Sequence, residues 1–117
     1  FLGDANIISG QVEGGALRIA GGRAIRIPKG AESANTFAIR SEDMAISLEE
    51  PIGEDTDRIR ADLVQRVFAG AMATCIVEVE GRRMKIVARE RDLPALPDEG
   101  PVWLSWETSR LKPVRDE

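Results

Sequence analysis

Short stretches of the chain alternate apolar and polar residues at a period of two, and glycines punctuate them. That pattern predicts β-strands joined by tight turns. Leu17-Arg18-Ile19 leads through Ala20-Gly21-Gly22 into Ala24-Ile25-Arg26-Ile27, which reads as one hairpin. A second hairpin runs from Cys75-Ile76-Val77-Glu78-Val79 through Glu80-Gly81-Arg82 to Met84-Lys85-Ile86-Val87-Ala88. Cys75, Val77 and Val79 share one face of its first arm, Met84, Ile86 and Ala88 one face of its second, and these faces are expected to pack inward together. Asn6 to Glu13, Thr36 to Arg40, Met44 to Leu48, Ile59 to Phe68 and Val102 to Trp106 read as further strands. In the longest, Ile59, Ala61 and Leu63 alternate with Arg60 and Asp62. The pattern then slips at Val64-Gln65 before Val67 and Phe68, as a bulge would make it do. Helical signal is confined to Arg89 to Leu96, where Pro94 and Pro97 allow a turn or a short helix at most.

The fold class expected is therefore all-β, an OB-fold-like small barrel or barrels of antiparallel strands, in two related halves that are built twice or intertwined. The halves span about 1–48 and 59–114 of a single 1–117 unit, and the acidic stretch 49–58, which carries Pro51 and Gly53, reads as their linker. Each half has a Gly-centred hairpin, a Pro-to-Gly loop, a strand and a glutamate. Aligning Glu42 with Glu107 (107 minus 42, an offset of 65) also brings Ile46 onto Leu111.

Length and composition narrow the chemistry. The chain has 117 residues, 43% of them hydrophobic and 31% charged, a balance that fits one globular domain. No apolar stretch is long enough for a membrane-spanning helix, and, with no charged segment, apolar stretch and cleavage site at its start, no secretory signal is expected. It begins at Phe1 and not at Met, as expected of a piece of a longer protein. The net charge of −4 and the absence of Tyr argue against a nucleic-acid binder, which needs cations for phosphates and aromatic rings for bases. There is no His, so no imidazole base can activate a Ser or Cys nucleophile. With one Cys and no His, only carboxylates remain to hold zinc, so no metal site is expected. Cys75 has no partner for an intrachain disulfide, and its place on an apolar face marks it as a buried small hydrophobe.

No phosphate-binding G-x-x-x-x-G-K-[ST] occurs, and Gly14-Gly15 and Gly21-Gly22 read as turns. No catalytic residue and no cofactor site is expected in this fragment. Arg40, Glu42 and Asp43 form the most motif-like charged cluster, either a contact to another subunit or domain or an ion pair fixing the chain as it leaves its strand. The acidic run Glu49 to Asp57 lacks the ligand spacing of a calcium loop and reads as solvated. Arg82, Arg83, Lys85, Arg89 and Arg91 give the second hairpin a basic side that keeps a sheet face soluble and guards its edge. Trp103 and Trp106 lie three apart, so a regular strand turns only one of them inward. Phe68 and Trp106 are the expected core or interface anchors.

Four segments carry a family resemblance. Phe1-Leu2-Gly3-Asp4-Ala5-Asn6-Ile7-Ile8-Ser9-Gly10 resembles the F-[IL]-G-x-x-N segment that follows the nucleotide-binding domain of ABC importer ATPases. Ile39-Arg40-Ser41-Glu42-Asp43-Met44 is similar to their [VIL]-R-P-E-[DH]-[VILM] motif, with Ser41 where a turn-stiffening Pro is usual. Val64-Gln65-Arg66-Val67-Phe68-Ala69-Gly70 resembles V-x-x-x-x-[FY]-x-G, and Gly100-Pro101-Val102-Trp103-Leu104-Ser105-Trp106 the closing G-x-x-V-x-L-x-W. In this order they resemble the transport-associated OB (TOBE) domain, in the spermidine/putrescine-type branch that also includes iron and phosphonate importers. The resemblance implies a regulatory, non-catalytic module, cytoplasmic and peripheral on the inner face of the cell membrane. ATP and Mg are expected on an N-terminal domain outside this fragment. The partners implied are a second copy of the ATPase subunit and, through the full-length protein, the transporter's membrane subunits. A small regulatory ligand is a further possibility, and a free-standing small-oxyanion (molybdate-like) binding module is the alternative reading.

Overall fold

Alternation and turns become eleven strands in the computed structural model, which describes residues 5–114. Phe1 to Asp4, the start of the first resemblance segment, lie outside the described residues. The strands are β1 (Ala5–Ser9), β2 (Gln11–Glu13), β3 (Ala16–Arg18), β4 (Ala24–Arg26), β5 (Thr36–Arg40) and β6 (Ala45–Ser47), then β7 (Thr56–Ala69), β8 (Met72–Val79), β9 (Arg82–Arg89), β10 (Gly100–Glu107) and β11 (Lys112–Pro113). They form three antiparallel sheets, ordered β1-β5-β11, β2-β3-β4 and β6-β10-β7-β8-β9. No α-helix occurs among the described residues, and none of their segments is a helix long and apolar enough to cross a membrane. Arg89 to Leu96 holds only a single 3-10 turn, Glu90–Asp92.

The expected hairpins form, with Leu17 opposite Ile25 and Val77 opposite Met84. The slip in the long strand is a bulge, the register shifting between Leu63 and Gln65. The stretch Asn6 to Glu13 departs from expectation. It is two strands in two sheets, β1 beside β5 and β2 beside β3. The break is Gly10, where a Cβ would lie 2.2 Å from the Arg18 carbonyl oxygen. Only a residue without a side chain lets the backbones approach that closely. The linker is also shorter than 49–58, because β7 already begins at Thr56. Asp57 belongs to the body of the fold, its carboxylate accepting the Arg26 backbone N–H at 2.6 Å.

The halves are intertwined. After β5 and a 3-10 turn (Ser41–Asp43), β6 crosses to pair with β10 of the second half. After β10 and the turn Thr108–Arg110, β11 crosses back to pair with β5. The structural repeat thus places Ser41 on Thr108 and buried Met44 on buried Leu111, an offset of 67 (108 minus 41). Glu107 corresponds to Arg40 and not to Glu42. One continuous core, including Leu17, Phe37, Leu63, Val77, Leu104 and Leu111, runs through all three sheets.

Candidate functional site

The five-stranded sheet curls without closing, and its two edge strands, β6 and β9, face each other across a cleft of about 470 Å³. Met44 and Ile46 line one wall and Ile86 to Arg89 the other, with Met72 and Leu93 at one end. The walls are mainly apolar, because Met44, Ile46 and Ile86 are the inward positions of their strands. Charge is confined to the rim, where Arg40 Nε meets Glu42 Oε2 at 3.1 Å and Arg89 Nε meets Asp92 Oδ2 at 3.5 Å.

Asn6 bridges the upper part of this seam. Its buried side-chain amide donates to the Lys85 carbonyl at 2.8 Å, and its Oδ1 accepts the Lys85 N–H at 2.9 Å. The same nitrogen lies 3.2 Å from Met44 Sδ. The side chain thereby takes the place of a strand residue at the β9 edge and ties the β1-β5-β11 sheet to the five-stranded one. Sequence reading placed Asn6 in a motif and on a strand. No local pattern could reveal that its partner lies 79 residues away.

Beyond the bulge, β7 extends past the end of β10, which covers it only from Thr56 to Leu63. The rest of β7 and the start of β8 form a projecting arm, with Gly70 in its turn at φ +64°. The bulge puts Arg66 and Phe68 on the face of Cys75 and Ala73. The arm is apolar at its tip, where Val67, Phe68 and Met72 are exposed. Arg66 stacks over Phe68 with its guanidinium carbon 5.6 Å from the ring centroid, and its Nη2 reaches Asp98 Oδ1 at 2.7 Å.

The anchors chosen from sequence therefore part company. Trp106 is 3% exposed and belongs to the core, whereas Phe68 is 47% exposed and does not. Trp103, on the other face, carries Arg60 at 5.0 Å from its ring. Arg40, Glu42 and Asp43 sit at the 3-10 turn by the cleft rim, away from Trp106 in the core. Phe68 and Gly70 lie on the arm whose other strand contributes Met72 to the same cleft. Cys75 is buried, and that burial pushes its thiol above the ordinary 9.0, the nearby Arg66 charge opposing only part of the effect.

A second, polar cleft lies where the β2-β3-β4 sheet meets the β8–β9 turn. Arg23 donates to the Arg60 carbonyl at 2.7 Å and pairs with Glu80 Oε2 at 3.1 Å. Glu80 is held at φ +51°, a conformation unusual for a side-chain-bearing residue, so this ion pair helps fix the turn. Among the described residues, three buried polar atoms, Arg58 Nε, Trp106 Nε1 and Thr108 Oγ1, lack hydrogen-bond partners. Trp106 is paired with Asp57, and Arg58 with Ser105. Adjacent rungs project to opposite faces, so the ladder does not gather Arg58 and Trp106 into one oxyanion pocket. Among the described residues no cluster of three Cys, Asp or Glu could hold a metal ion.

A search of the curated proteins returns no match. A family model for the TOBE domain matches residues 37–111, well over half of the chain, and it takes in nearly all of β5, β6 to β10, both crossover turns, the seam and the arm. This all-β chain belongs to the TOBE domain family.

Proposed function

We propose that this TOBE domain is the non-catalytic regulatory and dimerisation module of the ATP-binding subunit of a bacterial ABC importer, of the spermidine/putrescine, iron or phosphonate type. Family membership supports a regulatory or ligand-binding module. The importer context is supported by the order of the four sequence segments, from Asn6 through Arg40-Ser41-Glu42 and Phe68-x-Gly70 to Trp106. The observation that carries the reading is the projecting arm, which holds Val67, Phe68 and Met72 half exposed at its tip. A hairpin that exposes apolar side chains on both faces, Phe68 on one and Val67 and Met72 on the other, is suited to docking against another protein surface.

In this reading hydrolysis of ATP with Mg belongs to an N-terminal domain outside the fragment, on the cytoplasmic face of the membrane. The β-domain acts by contact, holding a second ATPase subunit or changing its hold when a small ligand binds. The coding sequence immediately upstream of Phe1 tests this directly. A G-x-x-x-x-G-K-[ST] motif followed by the rest of an ATP-binding domain is expected, and its absence overturns the importer assignment. Calorimetry with molybdate, tungstate and sulfate separates it from an oxyanion-binding module, for which heat at micromolar concentrations is required.

A further inference from the structure

Beyond the bulge, one edge of the β7 arm is bare. In an antiparallel ladder, alternate rungs turn their N–H and C=O groups toward the paired strand and away from it. The Glu90 N–H fixes which rungs do so here, because it bonds the Ala71 carbonyl at 2.8 Å on the next rung of the β8–β9 ladder. Ala71, Ala73 and Cys75 therefore turn their backbone groups to β9, and Met72, Thr74 and Ile76 turn theirs to β7. The rungs opposite those three on β7 are Ala69, Val67 and Gln65. Arg66 and Phe68 lie between them, so their N–H and C=O groups point away from β8. They point to the side that β10 leaves uncovered after Leu63. Among the described residues no backbone hydrogen bond from another segment reaches them there, and Asp98 meets Arg66 only through its side chain.

A bare edge is a template for one more strand, and proteins commonly guard it with charge or proline. This one reads Gln65-Arg66-Val67-Phe68-Ala69, with a single charge, and Val67 and Phe68 are each 47% exposed. The order of its residues selects the occupant. A second copy of the same edge, antiparallel and related by a two-fold axis beside Val67, sets Arg66 opposite Phe68 of the second copy. Both outward rungs of each chain are then satisfied. An axis beside Arg66 would set two guanidinium groups face to face, which is destabilising. An axis beside Phe68 would set Arg66 against Gly70, past the end of β7. Arg66 already stacks on Phe68 of its own chain at 5.6 Å. In the pair each guanidinium gains a second ring across the rung, at the Cβ spacing of about 4.5–5.5 Å that opposite side chains keep. The five paired residues stop short of Leu63, where β10 takes over the edge.

We propose that two copies of this chain pair through the bare edge of the β7 arm, Arg66 of each opposite Phe68 of the other, in a continuous ribbon ordered β8-β7-β7-β8. Such a contact is isologous and closes as a dimer. The inference rests on the dimerisation role proposed above and names the surface that carries it.

Register-specific cross-linking of the 117-residue chain is the test. Val67 faces its own counterpart on a rung without hydrogen bonds, where Cα atoms lie about 4.5 Å apart, so Val67→Cys in both copies is placed for a disulfide. Ala69→Cys is also on the exposed arm, but its two copies lie four residues apart along the ribbon, about 13 Å. The wild-type chain, whose one cysteine is the buried Cys75, is the blank. Under mild oxidation Val67→Cys is expected to link at least about tenfold faster than Ala69→Cys, and equal rates overturn the proposal. In the wild-type chain, exchange at the Arg66 and Phe68 amides should slow at least about tenfold between about 10 µM and about 1 mM protein, as the dimer forms. Unchanged exchange overturns the proposal as well. A dimer in sedimentation velocity that fails both tests puts the contact elsewhere, which overturns this pairing and leaves the dimerisation role standing. A chain that stays monomeric at about 1 mM overturns both. The upstream coding sequence settles the importer assignment separately.

Discussion

Replacing Asn6 with alanine should destabilise the fold well beyond the effect of an ordinary polar surface change. Asn6 is 7% exposed and satisfies both backbone groups of Lys85. Alanine removes two hydrogen bonds and leaves a donor and an acceptor facing an apolar seam. An unpaired buried polar group costs about 1–3 kcal/mol. Partial access of water to an edge strand reduces this, so the pair together amounts to about 2–4 kcal/mol. With a urea m-value of about 1.5 kcal/mol/M, the unfolding midpoint should fall by about 1.3–2.7 M. Asn6→Asp sharpens the test. A carboxylate still accepts from the Lys85 N–H, but it cannot donate to the Lys85 carbonyl and sets two acceptors face to face. Once protonated, the introduced carboxyl can donate. Its folded-state pKa is therefore raised above the unfolded value, so the deficit against wild type should shrink as the pH falls through the folded value. Urea denaturation of the three proteins at about pH 7 and about pH 4, on either side of the range in which a carboxyl raised from its ordinary value titrates, is the assay. A shift of less than about 0.5 kcal/mol for the alanine variant, typical of unconstrained surface sites, would refute the idea that Asn6 ties the two sheets together.

The remaining predictions are independent of that one. Trp106→Ala should destabilise by about 3–5 kcal/mol, the usual cost of a large core truncation, whereas Phe68→Ser should change stability little and weaken self-association in sedimentation velocity. Gly21→Ala places a Cβ 2.5 Å from the Glu80 carboxyl carbon at φ +82°, displacing Glu80 from Arg23. A loss of about 1–2 kcal/mol is expected from the left-handed backbone alone, read as a lower melting temperature. The folded protein holds the Cys75 proton more tightly than the unfolded chain does. The stability linked to this thiol is thus complete below about pH 9 and is lost as the pH rises through the folded value. Stability curves of wild type and Cys75→Ala should diverge above that pH and run parallel below it.

Much of the fold was legible in the chain because strands announce themselves locally. The period-two pattern marked the inward faces of β8 and β9, the phase slip at Val64-Gln65 marked the bulge, and a spacing of three split Trp103 from Trp106 between two faces. Turn glycines marked the hairpins, and the motif order pointed to the TOBE family. Each of these signals lies within a few residues of what it predicts.

The tertiary structure decided what those signals could not carry, namely which strand lies beside which. Alternation says that Ala45–Ser47 has an inward face but not that the face belongs beside β10 in the other half, and the same holds for β11 beside β5. Phe68 has the composition of a core residue, yet it lies beyond the last rung that β10 supplies and stays half exposed. The candidate site has the same origin. Met44, Ile86 and Asn6 become neighbours only because a single core forces two incomplete sheets to close over it. Burial of apolar surface rewards that closure without regard to sequence separation, so the seam is a property of the packed whole and is written in no single segment.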